Sequence, residues 1–224
     1  MGVLQESVIT EGGEREGTDP ELVHYPLPVW KRAFDLVVGS VLILCLSPVL
    51  LAIATYIRIV SKGPAIFCQS RLGEMGEYFT IYKFRTLEVR DEATAEHRDY
   101  VSELRESDGV LEKPDHGDRL IPRGAFLRDH ALDELPQLFN VLLGNMSLVG
   151  PRPEVLHWND YEPWQLRRLE ATPGMTGLWQ VSGKNSLTFN QMVELDIQYI
   201  RNRSLLGDLR ILFRTFRVVF LKDD

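Results

Sequence analysis

Two adjacent carboxylates, Asp133 and Glu134, stand immediately before Leu135-Pro136, where an apolar segment reads as a helix over Leu135–Leu143 with Pro136 in its first turn. Acids at a helix start serve as caps, favoured by free N–H groups and by the helix dipole. The alternative use is chemical, an Asp nucleophile beside a Glu that assists it or binds a divalent metal. A carboxylate attacks phosphorus only where the phosphate's own charge is neutralised, which calls for Mg2+ and for nearby Arg or Lys. The chain offers such cations at Lys83, Arg85, Arg119, Arg128 and Arg152. Lys83 and Arg85 alternate along one strand and so share a face. Arg152 is fixed between two prolines in Gly150-Pro151-Arg152-Pro153. A second rigid turn, Pro173-Gly174-Met175-Thr176-Gly177, leads into Leu178-Trp179-Gln180. Taken singly, each arginine reads first as a surface charge; taken together, these segments suggest a pocket built from several loops.

Other chemistries lack their residues. There is no G-x-G-x-x-G, no Walker A loop, no serine elbow and no H-E-x-x-H. The histidines share no ligand spacing. Cys45 and Cys68 form no metal-ligand pattern, and Cys45 lies inside an apolar run, which disfavours a disulfide framework and points to a reducing compartment.

The elements that must position these groups begin with a run of 22 uncharged residues, Leu36–Ile57. At ~1.5 Å per residue it is long enough to cross a ~30 Å hydrocarbon core. Ser47-Pro48 interrupts it near the middle, where proline removes a helix hydrogen bond, and leaves arms that each reach about half that depth. Lys31 and Arg32 precede the run and Arg58 and Lys62 follow it, so the positive-inside tendency favours both ends on the cytoplasmic side. A re-entrant helix–break–helix fits both observations, and a kinked single span is the alternative. The run is apolar all round, unlike a core helix of a soluble protein.

Beyond it, Ala65–Arg71 and Glu77–Phe84 read as two strands joined through Gly73-Glu74-Met75-Gly76. Residues 91–107 read as a solvated helix and 108–124 as a loop. Thr188 and Gln191 form a capping box that opens a helix to about Asn202. In the apolar segment Leu205–Leu221, Arg210, Arg214 and Arg217 share one face, an amphipathic pattern suited to an anionic membrane surface or to packing on the protein's own core. The fold class is therefore mostly α with a small β-hairpin. Residues 1–28 read as a flexible acidic leader, 29–62 as the re-entrant membrane helix, and 63–224 as a cytoplasmic catalytic domain ending in an interfacial helix. The leader is acidic where a signal peptide would be basic.

Of 224 residues, 44% are hydrophobic and 25% charged, which excludes both a fully disordered chain and a multi-span membrane protein. The net charge of −7 argues against a nucleic-acid partner.

Lys31-Arg32 with Asp35, Ser47-Pro48 and Lys83-Phe84-Arg85-Thr86 resemble the start of the bacterial sugar transferase family, the monotopic polyprenyl-phosphate phosphoglycosyl transferases. So do LDELPQLFNVLLGNMSLVGPRPE (Leu132–Glu154) and PGMTGLWQVSGKN (Pro173–Asn185). The match covers roughly residues 29–222. The resemblance implies transfer of a sugar 1-phosphate from a nucleotide diphosphate sugar to polyprenyl phosphate, with Mg2+, at the cytoplasmic membrane face. It implies a covalent phosphosugar on Asp133, with Glu134 assisting and both available to the metal. Lys83, Arg85, Arg119, Arg128, Gln137, Arg152 and Gln180 are the substrate-binding candidates. Lys31, Arg32, Asp35, Ser47 and Pro48 then belong to the anchor and break of the membrane helix. Membrane lipids are implied partners, and there is room for a homodimer. Two readings from other classes stay open: a membrane-anchored adaptor without catalysis, and a membrane-bound nucleotide-sugar hydrolase.

Overall fold

The computed structural model describes residues 21–88, 93–110, 117–183 and 186–221. Its first and longest element is α1, Val29–Val60, a helix of 32 residues that stays helical through Pro48. The expected break at Ser47-Pro48 is therefore absent from the secondary structure, for a local reason. Proline cannot donate to the carbonyl four residues back, Leu44 O, and the Ser47 hydroxyl donates to that same oxygen at 2.9 Å. Most of α1 is lipid-like and exposed, including Leu44 and Leu51, yet both ends are fastened to the rest of the chain. Near the start, Lys31 and Asp35 are buried; near the end, Ile57 is fully buried beside Phe84, Ile121 and Leu127.

Strands β1 (Ile66–Leu72) and β2 (Tyr78–Phe84) pair antiparallel, with Ile66 opposite Phe84 and Leu72 opposite Tyr78. The reversal falls where the glycines stood, with Met75 and Gly76 both at positive φ. After α2 (Ala93–Ser107) come α3 (Gly124–Asp129) and α4 (Gln137–Leu143), then the short strands β3 (Ser147–Val149) and β4 (Gly174–Thr176), which pair in parallel. That pairing requires glycine: a Cβ on Gly174 would lie 2.0 Å from the Gly150 nitrogen. Helix α2 is not simply solvated, because Val101 and Leu104 enter the core with Leu156, Leu166 and Val193. Helix α3 begins at Gly124, the last residue of the stretch 108–124 that reads as loop.

Helix α5 (Phe189–Asn202) carries the expected capping box: Gln191 N donates to Thr188 Oγ1 at 3.3 Å, and Thr188 N to Gln191 Oε1 at 3.0 Å. Helix α6 (Leu205–Phe216) continues as a π-turn over Arg217–Leu221. It buries Asp208 and Ile211 against the core, while Leu206, Leu209, Phe213, Phe216 and Phe220 are exposed at i, i+3, i+7, i+10 and i+14. One face of this helix thus packs on the protein's own core, and the opposite face leaves an apolar row exposed.

Residues 1–20 and 222–224 lie outside the described residues, and so do Lys184 and Asn185 at the end of the second family-like block. The described part of the leader, 21–28, is not free. It runs extended over the domain, with Val23 N on Glu170 Oε1 at 3.2 Å and Tyr25 N on Glu170 O at 2.8 Å. Arg203 clamps it by donating to Tyr25 O and Pro26 O. The leader's acidic composition hid this, since main-chain groups make most of the contacts.

Candidate active site

Asp133 and Glu134 lie not inside a helix but in a 3-10 turn, Leu132–Glu134, entered through Ala131 at φ 50°. A left-handed alanine is an uncommon conformation, and it lets the chain reverse between α3 and α4. Pro136 then caps α4. Neither acid caps the helix by a side-chain bond, so the bland use of the pair is not the one observed.

The two carboxylates are treated differently. Glu134 Oε1 accepts from Lys83 Nζ at 2.9 Å and from Arg152 Nη2 at 2.9 Å, and Oε2 faces Arg152 Nη1 at 3.5 Å. Burial would raise its pKa, but Arg152 and Lys83 together hold it well below the usual carboxylate range. Asp133 makes no ion pair among the described residues. Burial, and then the adjacent Glu134 charge, push its carboxyl up to about 6, against the opposing pull of Lys83 and Arg128. One acid is locked in a charge-assisted cradle, and its neighbour stays available for chemistry.

The cradle has a scaffold. Asn140 of α4 is fully buried, its Oδ1 accepting from Tyr82 N at 3.0 Å and its Nδ2 donating to Thr80 O at 2.6 Å. This one side chain stitches the open edge of β2 to α4, and so sets Lys83 against the acidic turn. Behind Arg152 lie two further buried arginines, Arg71 of β1 and Arg168. Asn140, Arg71 and Arg168 were missed as site-supporting residues. Asn140 carried one sequence signal, a polar side chain within the apolar stretch LFNVLL; Arg71 and Arg168 stand among other polar residues and carried none.

The other candidates divide. Arg128 is exposed at the end of α3, and its charge acts on Asp133. Arg119 lies in the turn Gly117–Arg119, whose backbone pairs with the chain just beyond β2 through Glu88 N to Arg119 O, 2.9 Å. Gln137 Nε2 and Gln180 Oε1 are buried without a partner among the described residues. Arg85 is a correction. It does not join Lys83 at the dyad but caps the end of α1, donating to Pro64 O at 2.7 Å, Ser61 Oγ at 2.8 Å and Ser61 O at 3.3 Å. It lies just past β2, where the strand alternation that would have aligned it with Lys83 has ended.

Lys31, Arg32 and Asp35 are likewise fasteners. Lys31 Nζ pairs with Asp208 of α6 at 2.5 Å, both fully buried. Arg32 donates to Val141 O and Leu142 O at the C-terminal end of α4, and Asp35 accepts from Leu148 N.

A metal ion would find a divided donor set. Asp133 has an uncompensated hard oxygen donor of the kind Mg2+ takes together with substrate phosphates. Glu134 Oε1 already takes two cations while Oε2 has only the 3.5 Å contact with Arg152, so an oxygen of each acid would still be open to an ion shared between them. Among the described residues no three His, Cys, Asp or Glu side chains converge.

The family model described as "Bacterial sugar transferase" matches residues 27–222. The chain is 43% identical over 201 residues to a protein from Haemophilus influenzae named "Uncharacterized sugar transferase", covering 87% of this chain and 42% of that one. It is 38% identical over 193 residues to the exopolysaccharide production protein ExoY of Rhizobium meliloti, covering 85% of each. It is 38% identical over 204 residues to the undecaprenyl-phosphate galactose phosphotransferase of Salmonella typhimurium, covering 86% of this chain and 41% of that protein. The chain thus spans about two fifths of two of these relatives and most of the third.

Proposed function

The chain belongs to the bacterial sugar transferase family, and we propose that it moves a sugar 1-phosphate from a UDP-sugar to polyprenyl phosphate, releasing UMP, through a phosphosugar carried on Asp133. The observation that carries this reading is the inequality of the two acids: an unpaired Asp133 beside a Glu134 that holds two cations. Relatives named for undecaprenyl-phosphate galactose and glucose-1-phosphate transfer supply the substrate class.

In the first step an Asp133 carboxylate oxygen attacks the phosphorus that bears the sugar. An O–P bond forms, the diphosphate bridge breaks, and UMP leaves with the bridging oxygen. In the second, an oxygen of polyprenyl phosphate attacks the same phosphorus, forming the new diphosphate and freeing Asp133. Lys83 and Arg152, oriented by Glu134, spread the charge of the transferring phosphoryl oxygens. Arg128 adds a further positive charge that acts on Asp133. Mg2+ held by Asp133 and the donor's phosphates would add charge neutralisation. A covalent intermediate lets a soluble donor and a lipid acceptor use one site in turn.

Attachment of α1 supports a topology with both ends on one side of the membrane: its first turns bind α4 and α6 and its last turn is held by Arg85, so both ends of the helix are tied to the same domain. The exposed apolar row of α6, with Phe139 and Leu143 of α4 and Phe126 of α3, supplies a surface for the lipid interface.

The test is UMP release from UDP-glucose or UDP-galactose by purified protein, with and without polyprenyl phosphate. Release that depends on the lipid is the expected result. Release without it means hydrolysis, and no release from any nucleotide sugar leaves the adaptor reading.

A further inference from the structure

The segment carrying Arg152 has an anchoring problem. Pro151 and Pro153 have no N–H, so the loop has few donors with which to tie itself down. Its carbonyls are tied instead. Arg168 Nη2 donates to Arg152 O at 3.1 Å, and Arg71 Nη1 donates to the next carbonyl, Pro153 O, at 3.3 Å. Both guanidinium side chains are buried, Arg168 at 1% exposure and Arg71 at 5%. Each is in turn held from a different element. The same Nη2 of Arg168 donates to Asp196 Oδ2 of α5 at 2.6 Å, while Arg71 Nη2 donates to Gln69 Oε1 of β1 at 2.6 Å.

Burying a guanidinium is costly unless its donors and charge are used. Arg168 is balanced by Asp196. Arg71 has no carboxylate at ion-pair distance among the described residues; burial lowers it to about 10, so it remains a cation at neutral pH. A packing role alone would be served as well by an apolar side chain of similar size. Two arginines that converge on consecutive carbonyls, the first that of Arg152 itself, do something an apolar residue cannot: they fix the backbone from which the Arg152 side chain starts.

We infer that Arg71 and Arg168 are positioning residues that clasp the carbonyls of Arg152 and Pro153 and thereby hold the Arg152 guanidinium on Glu134, beside Asp133. The inference rests on Arg152 acting on the transferring phosphate as proposed above. Neither clasp residue touches the reacting atoms; each acts through Arg152.

The test is a set of three double-mutant cycles on the whole chain in lipid nanodiscs, with UDP-glucose or UDP-galactose as donor and polyprenyl phosphate as acceptor. Arg71→Met, Arg168→Met and Arg168→Lys are each measured in the wild-type and Arg152→Ala backgrounds. Arg71→Met and Arg168→Met are expected to slow transfer tenfold or more in the wild-type background and less than twofold where Arg152 is already absent. Arg168→Lys, whose one nitrogen can still bridge Asp196 and Arg152 O, is expected to retain most of the rate. Should Arg168→Met fail to fold for want of a partner for Asp196, Arg71→Met strands no carboxylate and carries the test. Equal fold-losses in both backgrounds overturn the clasp while leaving the transfer reading intact. Wild-type turnover by Arg152→Ala removes the role of Arg152, and the clasp with it, without touching Asp133. Spectra of 15N-arginine protein give a reading that needs no turnover. Arg152 side-chain N–H signals are expected to exchange slowly in the wild type and to average in Arg71→Met; unchanged signals overturn the proposal.

Discussion

Glu134 Oε1 is shared by two cations at 2.9 Å each, while Asp133, the preceding residue, pairs with none among the described residues. The pairing is what separates the acids: the first is kept ionised and occupied, the second is left costly to ionise and free to react.

That difference sets a pH dependence. The Asp133 carboxyl is raised to about 6, so formation of a phosphosugar on it should fall as pH drops through about 6, by about tenfold per unit below that range. Single-turnover reaction with donor alone, across pH 5–8, checks this. The stability effect has the opposite sense. Unfolded, the group ionises near 3.8; folded, near 6, so its charge costs stability that is fully felt above about 6. Asp133→Asn should therefore raise stability at pH 7.5 by about 1–3 kcal/mol, read from thermal unfolding.

Lys83 and Arg85, two residues apart, should fail in different ways. Lys83→Met leaves Glu134 on Arg152 but removes a cation beside Asp133, so transfer should drop by roughly 100-fold with little change in melting temperature. Arg85→Met loses three bonds to the end of α1, so it should cost about 1–3 kcal/mol of stability. Rates and melting temperatures of both variants, measured side by side, separate the roles.

The Lys31–Asp208 pair is wholly buried, so removing one partner strands the other. Lys31→Met should destabilise by about 3–5 kcal/mol, and Lys31→Met with Asp208→Leu should recover most of it. Tyr199, which donates to both Asp208 Oδ1 and Val149 O, keeps the second partner in that double variant. Denaturant unfolding in detergent provides the comparison.

Much of this was readable from the chain. The hairpin followed from two β-rich runs around Gly73 and Gly76, the α5 start from Thr188 and Gln191, and the dyad with its cations from residue type. What was not readable were long-range contacts of single polar residues. Asn140 sits in LFNVLL and Asp208 in LLGDLR, where only an apolar environment hints that each must find a buried partner. Arg85 looked like a partner of Lys83 because strand alternation was carried one residue too far. Pro48 looked like a break because Ser47, one residue before it, was not credited with the bond that proline gives up.

Topology is open to chemical labelling. In protein with Cys45 and Cys68 replaced, single cysteines placed before Pro28 and at Lys62 should react from the same side of sealed vesicles. Reaction from opposite sides would mean that α1 spans the bilayer.

The most direct measurement is the mass of the protein itself. Incubated with a UDP-sugar and Mg2+ but without polyprenyl phosphate, the wild type should gain the mass of one phosphosugar, located on the peptide that contains Asp133, and Asp133→Asn should gain nothing. An adduct on any other residue, or transfer to lipid that persists in Asp133→Asn, would contradict the assignment of Asp133 as the nucleophile.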